Sequence, residues 1–221
     1  MKILTFKKLT SKLNNEEKTI YLRKKYILNF EFQCLFSHRE RLNFMLKKSI
    51  IPVNDNFTEL SNFAIPILVD YFDKYFDKYI KPGIIQDWFN HVLSPKKIEN
   101  DILNGMNYYY VLVDQKKAGY IAFRPEKDEL FLSKFYVEKN ARKNGLGRYA
   151  MDFVEEYGKS KNLKNVFCYV ADYNEPSLAA YRKLGFTERG IFHFRETFKG
   201  DEIYEREFIM AKPIKPIIKC E

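Results

Sequence analysis

A strand, a basic loop and a helix follow one another between residues 129 and 157, and this unit constrains the fold more than any other stretch of the chain. The segment ELFLSKFYV (129–137) has the apolar content of a core strand. After the loop, apolar residues fall at positions 146, 149, 150, 153, 154 and 157, which is the spacing of one helical face. A strand followed by an amphipathic helix predicts a helix layer packed on a sheet.

The segments on either side of this unit predict further helices and strands. Before it, helical patterns cover 56–80, with a possible break at Pro66, then 84–92 and 95–104, and strand patterns cover 108–113 and 118–123. After it come a strand at 165–171, a helix in NEPSLAAYRKLGF (174–186), and strands at 187–194 and 203–210. Asn174 is placed to cap the last helix and Gly185 to end it. This order predicts one mixed α/β structure around a single sheet.

The positive charge of the chain is concentrated at its start. Residues 1–48 hold 12 Lys and Arg against 4 Asp and Glu, so they carry +8 of the total of +9. We interpret residues 1–44 as a basic N-terminal extension. It could be a nucleic-acid-binding arm, an added structural piece, or a segment outside the native product if translation begins at Met45. The nearly neutral remainder gives no general argument for nucleic-acid binding.

Several classes of protein do not fit the composition. Three widely spaced cysteines make a poor disulfide framework, and neither CxxC nor HxxxH occurs, so no metal site is expected. No uncharged run approaches the ~18 residues that span a bilayer. The first twenty residues are interrupted by charges and lack the apolar core of a signal peptide. The sequence therefore predicts a soluble, cytoplasmic protein.

The loop between strand and helix carries the pattern of a phosphate site. Gly145 and Gly147 lie one residue apart, flanked by Arg142, Lys143 and Arg148. Unpaired N–H groups at a helix N-terminus attract phosphate, and glycines let a bulky anion approach. A Walker P-loop needs GxxxxGK[ST], which is absent. GLGRYA fits the dinucleotide pattern GxGxxA, but that pattern should join its strand directly to its helix, and here a seven-residue loop intervenes. A third pattern, RxxGxG, is matched by RKNGLG (142–147).

The string RKNGLG, followed one strand later by NEPSLAAYRKLGF, resembles the GNAT superfamily of N-acetyltransferases. The resemblance covers residues 45–213, with EREFIMAK similar to the closing strand, and leaves 214–221 as a C-terminal tail. Within the superfamily the match is nearest to bacterial small-amine and polyamine acetyltransferases. It implies a single α/β domain, with a central mixed, largely antiparallel sheet and helices on both faces.

The resemblance also implies a site for acetyl-CoA as co-substrate, without a metal. The pantetheine arm would bond the backbone of Tyr136 and Val137, beside a strand that stops pairing with its neighbour. The pyrophosphate would lie on the N–H groups of the loop and helix start, with Asn174 contacting the arm from the other side. Tyr181 would protonate the leaving thiolate. The implied cofactor-binding residues are Tyr136, Val137, Arg142, Lys143, Asn144, Gly145, Leu146, Gly147, Arg148, Asn174 and Tyr181.

The general base is not identified by the sequence. Many relatives carry a glutamate within the fourth strand, where Ser133 stands here, and Glu129 and Glu138 lie only at the ends of that strand. Ser133 could hold a water that relays the proton. Cys168 alternates with apolar neighbours and is expected in the core, and His193 is expected to be structural rather than part of the substrate pocket.

The acceptor is likewise not identified by the sequence. The YFDK repeat predicts an aromatic helix face, and nearby acidic residues could attract a cation: Asp70, Asp73, Asp77 and Asp87. We expect transfer of the acetyl group to a primary amine of a small molecule by direct attack in a ternary complex. The alternatives are a non-catalytic acyl-CoA-binding module, and an enzyme acting on a protein or aminoacyl-tRNA amine. As partners we expect a small-molecule amine, no membrane and no nucleic acid, with the chain a monomer or homodimer.

Overall fold

The computed structural model describes residues 46–76 and 84–215, except for the side chains of residues 73–76, 85 and 201. This part of the chain contains seven strands and five α-helices. The strands are β1 (Lys48–Pro52), β2 (Asn107–Val113), β3 (Lys116–Glu126), β4 (Glu129–Val137), β5 (Asn165–Ala171), β6 (Thr187–Phe198) and β7 (Asp201–Pro213). The helices are α1 (Phe57–Phe76), α2 (Ile84–Val92), α3 (Pro95–Leu103), α4 (Leu146–Ser160) and α5 (Glu175–Lys183).

One sheet joins all seven strands in the order β1-β2-β3-β4-β5-β7-β6. Every neighbouring pair is antiparallel except β4 and β5, which are parallel. Helices α1, α2 and α3 pack on one face through residues such as Leu60, Phe89 and Ile98, and helices α4 and α5 pack on the other through Val154 and Leu178. The predicted fold class is therefore confirmed.

The parallel pair β4–β5 is short. Only Glu129–Phe131 pairs with Asn165–Phe167, and both strands then continue without bonding to each other. Residues Leu132–Val137 of β4 remain joined to β3 alone. The sheet is thus split between its two central strands, as the family resemblance implies.

A β-bulge in β4 lies where the two strands separate. Ala122 pairs with Lys134 and Phe123 with Leu132, so Ser133 is an extra residue without its own partner on β3. Leu132 and Phe135 both pack in the core beneath α4, although they are three positions apart and regular alternation would place them on opposite faces. Because a bulge bends a strand and increases its twist, it turns the end of β4 away from β5.

The β6–β7 hairpin is longer than predicted. The strands extend to Phe198 and from Asp201, and a two-residue turn of Lys199 (φ 53°) and Gly200 (φ 85°) joins them. Positive φ at both turn residues matches the twist of a tight hairpin. The added segment, RETFKGDE (195–202), is mostly charged and polar, so its apolar signal is weak. Pro66 lies inside α1, and the helix continues through it.

The predicted N-terminal extension, and the residues of the predicted tail from 216 onward, lie outside the described part of the chain. Ile214, which the sequence analysis placed in the tail, is 7% exposed and packs in the core beneath α4. Within the described residues, no helix is both long and apolar enough to cross a membrane.

Replacing Gly119 by alanine should weaken the attachment of β4 to β3. A Cβ at Gly119 would lie 2.5 Å from the Tyr136 carbonyl oxygen and 3.2 Å from Val137 Cα, and these backbone atoms cannot rotate away. Overpacking of this kind costs about 1–3 kcal/mol. We expect Gly119→Ala to lower the Tm by roughly 2–4 °C per kcal/mol in a thermal melt.

The matched control is Gly190→Ala on β6, where the added Cβ would lie 3.6 Å from Ile209 Cδ1, an ordinary contact. This variant should melt like the wild type. Equal melting temperatures for both variants would show that β3 can shift to accept a side chain at Gly119.

Candidate active site

The split between β4 and β5 opens a cleft of about 580 Å³, including the space open to solvent. Its walls come from β4 on one side, β5 and β7 on the other, and the start of α5 at one end. Polar side chains from β4, β7 and the α5 region face it: Ser133, Tyr136, Asn174, Tyr181, Glu205 and Glu207. The cleft is therefore a polar site in the middle of the sheet.

The backbone of β4 offers an unbonded edge to this cleft. The Glu138 N–H donates to the Ala118 oxygen at 2.9 Å, so Glu138 and, two residues earlier, Tyr136 bond toward β3. The peptide groups of Phe135 and Val137 consequently point toward the cleft. The Val137 carbonyl accepts from Arg142 Nε at 2.9 Å. The Val137 N–H is left as a donor facing the space between the strands.

The basic loop ends in a helix N-terminus without a side-chain cap. Lys143 (φ 67°) and Gly145 (φ 71°) both adopt left-handed conformations, and Gly145 is the N-cap of α4. A glycine cap has no side-chain oxygen to accept from the first-turn N–H groups. Leu146, 1% exposed, anchors the helix in the core. The first N–H groups of α4 are thus available to an anion, beside the positive end of the helix dipole.

Gly147 has no steric reason to be glycine. A Cβ there would lie 3.7 Å from Phe135 Cζ, an ordinary contact, and its φ is not left-handed. Glycine inside a helix costs about 1 kcal/mol relative to alanine. Glycine at position 147 therefore makes the start of α4 less stable than alanine would. This is the place where a bulky anion would have to approach.

The loop cations take up different positions. The Arg142 guanidinium bonds the Val137 carbonyl and lies 5.5 Å from the Tyr71 ring centroid, so it faces inward. Arg148 donates to the Lys183 carbonyl at 3.2 Å and thereby joins α4 to the end of α5. Lys143 is exposed, and Asn144 is half-buried beside it. Two of the three predicted phosphate-binding cations therefore already bond backbone carbonyls.

Asn174 caps α5 as predicted and also receives a bond from α1. Its Oδ1 accepts from the Ser177 N–H at 3.1 Å and from the Tyr71 hydroxyl at 2.7 Å. The same tyrosine oxygen lies 2.9 Å from Ser177 Oγ. Because Oδ1 is occupied, the Asn174 Nδ2 is the atom of this side chain that remains for a ligand in the cleft.

Tyr181 faces the cleft from α5 with its ring held in the core. The ring centroid lies 6.4 Å from that of Phe135 and 5.1 Å from that of Phe186, and its hydroxyl hydrogen-bonds the Cys168 thiol. Burial, with smaller contributions from Cys168 and Tyr136, raises the pKa of Tyr181 well above its ordinary value. The hydroxyl therefore keeps its proton at neutral pH and can donate it.

Cys168 is 2% exposed, and burial raises the pKa of its thiol. A buried neutral thiol is a poor nucleophile, so the residue belongs to the core, as expected. His193 bonds Tyr204 through Nδ1 at 2.5 Å and is not among the residues that line the cleft. This position agrees with the structural role expected for His193.

Of the candidate bases on β4, only Ser133 lines the cleft. Its Oγ accepts from Lys134 Nζ at 3.3 Å. Glu129 lies at the paired end of the strand, where Asn165 and Arg189 bond its carboxylate at 2.7 Å and 2.5 Å. Glu138 lies at the other end, beyond the split.

The acidic residues proposed near the first helices are not gathered at the cleft. Asp70 is exposed, 3.9 Å from Lys139, and Asp87 pairs with Lys199 at 2.5 Å. The side chain of Asp73 and the whole of Asp77 lie outside the described residues. Among the residues the structure does describe, no group of three His, Cys, Asp or Glu is arranged to hold a metal.

Sequence reasoning missed two carboxylates, Glu205 and Glu207, which line the cleft from β7. They are two residues apart on a strand and share one face. The Tyr173 hydroxyl donates to Glu205, whereas Glu207 has no hydrogen bond or ion pair with any described residue. Burial, and secondarily Glu205, raises the pKa of Glu207 to about 7. Burial raises the pKa of Glu205 too, against the lowering effect of the Tyr173 bond.

The signal for this pair was in the sequence. The segment EREF places two glutamates at i and i+2 next to an apolar strand, which predicts that both face the same side. Which side that is depends on how β7 pairs with β5, with Glu207 opposite Ala171 at the open end of the cleft.

Comparison with known proteins agrees with this geometry. The sequence model of the acetyltransferase (GNAT) family matches residues 68–186, which is more than half of the chain. The matched region contains the split, the basic loop, Asn174 and Tyr181.

Solved structures share the fold at low sequence identity. The PaiA N-acetyltransferase from Thermoplasma acidophilum, in complex with coenzyme A, superposes with a TM-score of 0.58 at 18% identity, covering 75% of this chain and 99% of that one. The ribosomal-protein-S18-alanine N-acetyltransferase from Escherichia coli gives 0.52 at 18% identity, covering 76% and 94%. A Bacillus subtilis acetyltransferase in complex with CoA gives 0.52 at 15% identity, covering 76% and 100%.

The structural matches establish the shared fold, and the family model establishes the family. The chain therefore belongs to the GNAT family of acetyltransferases.

Proposed function

We propose that this enzyme transfers the acetyl group of acetyl-CoA to a primary amine of a small molecule, by direct attack within a ternary complex. The observation that carries the proposal is the split between β4 and β5, with an uncapped helix N-terminus at one end and Tyr181 on its wall. An extended thioester fits such a split, because the exposed edge of β4 can bond to amides as a neighbouring strand would.

The cofactor would lie along β4 and turn at the loop. The Val137 N–H faces the pantetheine amides or the acetyl oxygen, and Asn174 Nδ2 faces them from α5. The pyrophosphate would accept from the first N–H groups of α4, with Lys143 as the exposed cation nearby. Gly147 leaves room for it.

The transfer needs an oxyanion donor and an acid. When the amine attacks the thioester carbonyl, a backbone N–H of β4 can stabilise the developing negative charge on oxygen. When the C–S bond breaks, the Tyr181 hydroxyl can give its proton to the sulfur. Its raised pKa keeps the phenol protonated at neutral pH, so the proton is in place when the thiolate forms beside it.

Replacing Gly147 tests the phosphate site. Gly147→Ala should leave the Tm unchanged or raise it, because alanine favours the helix and meets no clash, yet it should weaken acetyl-CoA binding. Gly147→Asp, which adds a negative charge, should weaken binding by at least about tenfold, or 1.4 kcal/mol. Isothermal titration calorimetry with CoA measures both. A wild-type affinity for CoA in a folded Gly147→Asp protein would contradict the placement of the pyrophosphate at this helix start.

Replacing Tyr181 tests the general acid. Tyr181→Phe keeps the ring contacts and removes the proton, so kcat should fall by about 10²–10⁴ while CoA affinity stays close to wild type. Free thiol release during turnover gives kcat. The control is Tyr157→Phe, since Tyr157 packs on Phe123 in the same core but does not line the cleft.

The same pair of variants separates an enzyme from a binding module. If the wild type binds acetyl-CoA but releases no thiol with any of the amines offered, the chain is a non-catalytic acyl-CoA-binding protein. If Tyr181→Phe turns over at the wild-type rate, Tyr181 only packs.

We also propose that the acetyltransferase domain spans the predicted residues 45–213 together with Ile214, which packs in its core, and that residues 1–44 are dispensable for the chemistry. Every site residue named above lies after Met45. A chain that begins at Met45 should fold, bind CoA and keep its kcat. A melting temperature well below that of the full chain, or insoluble protein, would show that the first residues cover apolar surface. Loss of activity toward one acceptor alone would place them in the acceptor site.

A further inference from the structure

We propose that Glu207 removes the proton from the acceptor amine, and that Glu205 beside it holds the acceptor in its ammonium form. The inference rests on the proposed function and defines its acceptor class: an alkylammonium compound without a carboxylate next to the nitrogen.

The position of β7 places the two carboxylates on the acceptor side of the cleft. Glu207 pairs with Ala171 at the end of β5, where the split is open, and with Phe192 across the hairpin. Glu205 pairs with Phe194, whose ring lies 6.5 Å from that of Trp88 on α2. An amine that enters between α2 and the hairpin would therefore pass aromatic rings before it meets the carboxylates.

The charges around the cleft favour a cation. Among its described lining residues there are two carboxylates and no Lys, Arg or His. Asp172, an acidic neighbour of Glu205, is paired with Arg206 at 2.7 Å. Phe192 and Phe194, the β6 partners of the two carboxylates, bring no ionisable group. The other titratable groups that face the carboxylates are all neutral at pH 7, with raised pKa values: Tyr136, Cys168, Tyr169, Tyr173 and Tyr181.

The two carboxylates differ in their bonding, which assigns their roles. Glu205 is held by the Tyr173 hydroxyl and is a fixed acceptor of hydrogen bonds. Glu207 has no partner among the described residues and is available to the substrate. Its pKa of about 7 is close to the working pH, where a general base is most effective.

The protons balance over one turnover. The ammonium nitrogen gives one proton to the Glu207 carboxylate, and the resulting amine attacks the thioester carbonyl carbon. As the C–S bond breaks, the sulfur takes the Tyr181 proton, and the second proton lost by nitrogen restores the tyrosine. Glu207 then releases its proton to solvent, so each transfer yields one amide, one thiol and one free proton.

Glu207→Gln is the test, and Glu202→Gln is the matched control, since Glu202 lies on the same strand but is exposed and outside the cleft. Glu207→Gln should lower kcat/KM by about 10²–10⁴ and remove the loss of activity below pH 7, without changing CoA affinity. The control should keep the wild-type rate and pH profile. A Glu207→Gln enzyme with the wild-type rate and pH profile would overturn the inference and leave the proposed function standing.

Stability gives a second readout that does not depend on turnover. Between the ordinary pKa of a glutamate and about 7, the native state binds more protons at Glu207 than the unfolded state, so this residue destabilises the fold as pH rises. Glu207→Gln should therefore raise the Tm at pH 8 and raise it less at pH 5. No gain at pH 8 would show that the carboxylate is not desolvated and would contradict the assignment.

Three matched acceptors test the substrate class with the wild type: pentylamine, norleucine and norleucine methyl ester. Pentylamine and the ester should be acetylated, whereas the carboxylate of norleucine should lower kcat/KM at least tenfold. Equal rates with norleucine and its ester would contradict the class. A wild type that binds CoA but acetylates no amine at all overturns the proposed function, and this inference with it.

Discussion

The peptide groups of β4 beyond Phe131 have a bonded neighbour on one side only, although they lie in the middle of a seven-stranded sheet. Unbonded strand edges are usually confined to the border of a sheet or covered by other chain segments. Here the bulge at Ser133 turns β4 aside, and Gly119 lets β3 follow it closely. The fold maintains this interior edge rather than closing it. An extended ligand that bonds as a partial strand is the simplest way to satisfy the peptide groups it exposes.

The two ends of the cleft differ in charge, and the difference fits the two substrates we propose. At one end, the uncapped start of α4 and its basic loop favour the phosphates of CoA. Around the open end, Glu205 and Glu207 favour an ammonium group. Tyr181 lies between these regions, where a thioester sulfur would be expected. The anionic donor and the cationic acceptor would therefore approach from separate sides and meet at one carbon.

Individual elements show why parts of the fold were predictable. The helix α5 was predicted closely because its signals are local: Asn174 caps it, Pro176 stands in its first turn and Gly185 ends it. The hairpin β6–β7 was predicted too short because its outer half exposes charged residues, and the strands there are held mainly by backbone bonds between them. The bulge at Ser133 could not be predicted, because it reflects the pairing of β4 with β3 and not a preference of serine.

The sequence alone determined the order of elements, the family, and the loop and helix residues that the family motif names, since each of these is read from short segments and their order along the chain. Only the tertiary structure decided which carboxylates share the cleft with Tyr181. It also decided that Arg142 bonds the Val137 carbonyl and that Asn174 Oδ1 accepts a hydrogen bond from Tyr71 on α1. Ser133 and Glu207 line one cleft although they are distant in the chain, and Tyr71 bonds Asn174 across 103 positions. Alternation along β7 fixes that Glu205 and Glu207 share a face, but the register between β5 and β7 decides what that face meets.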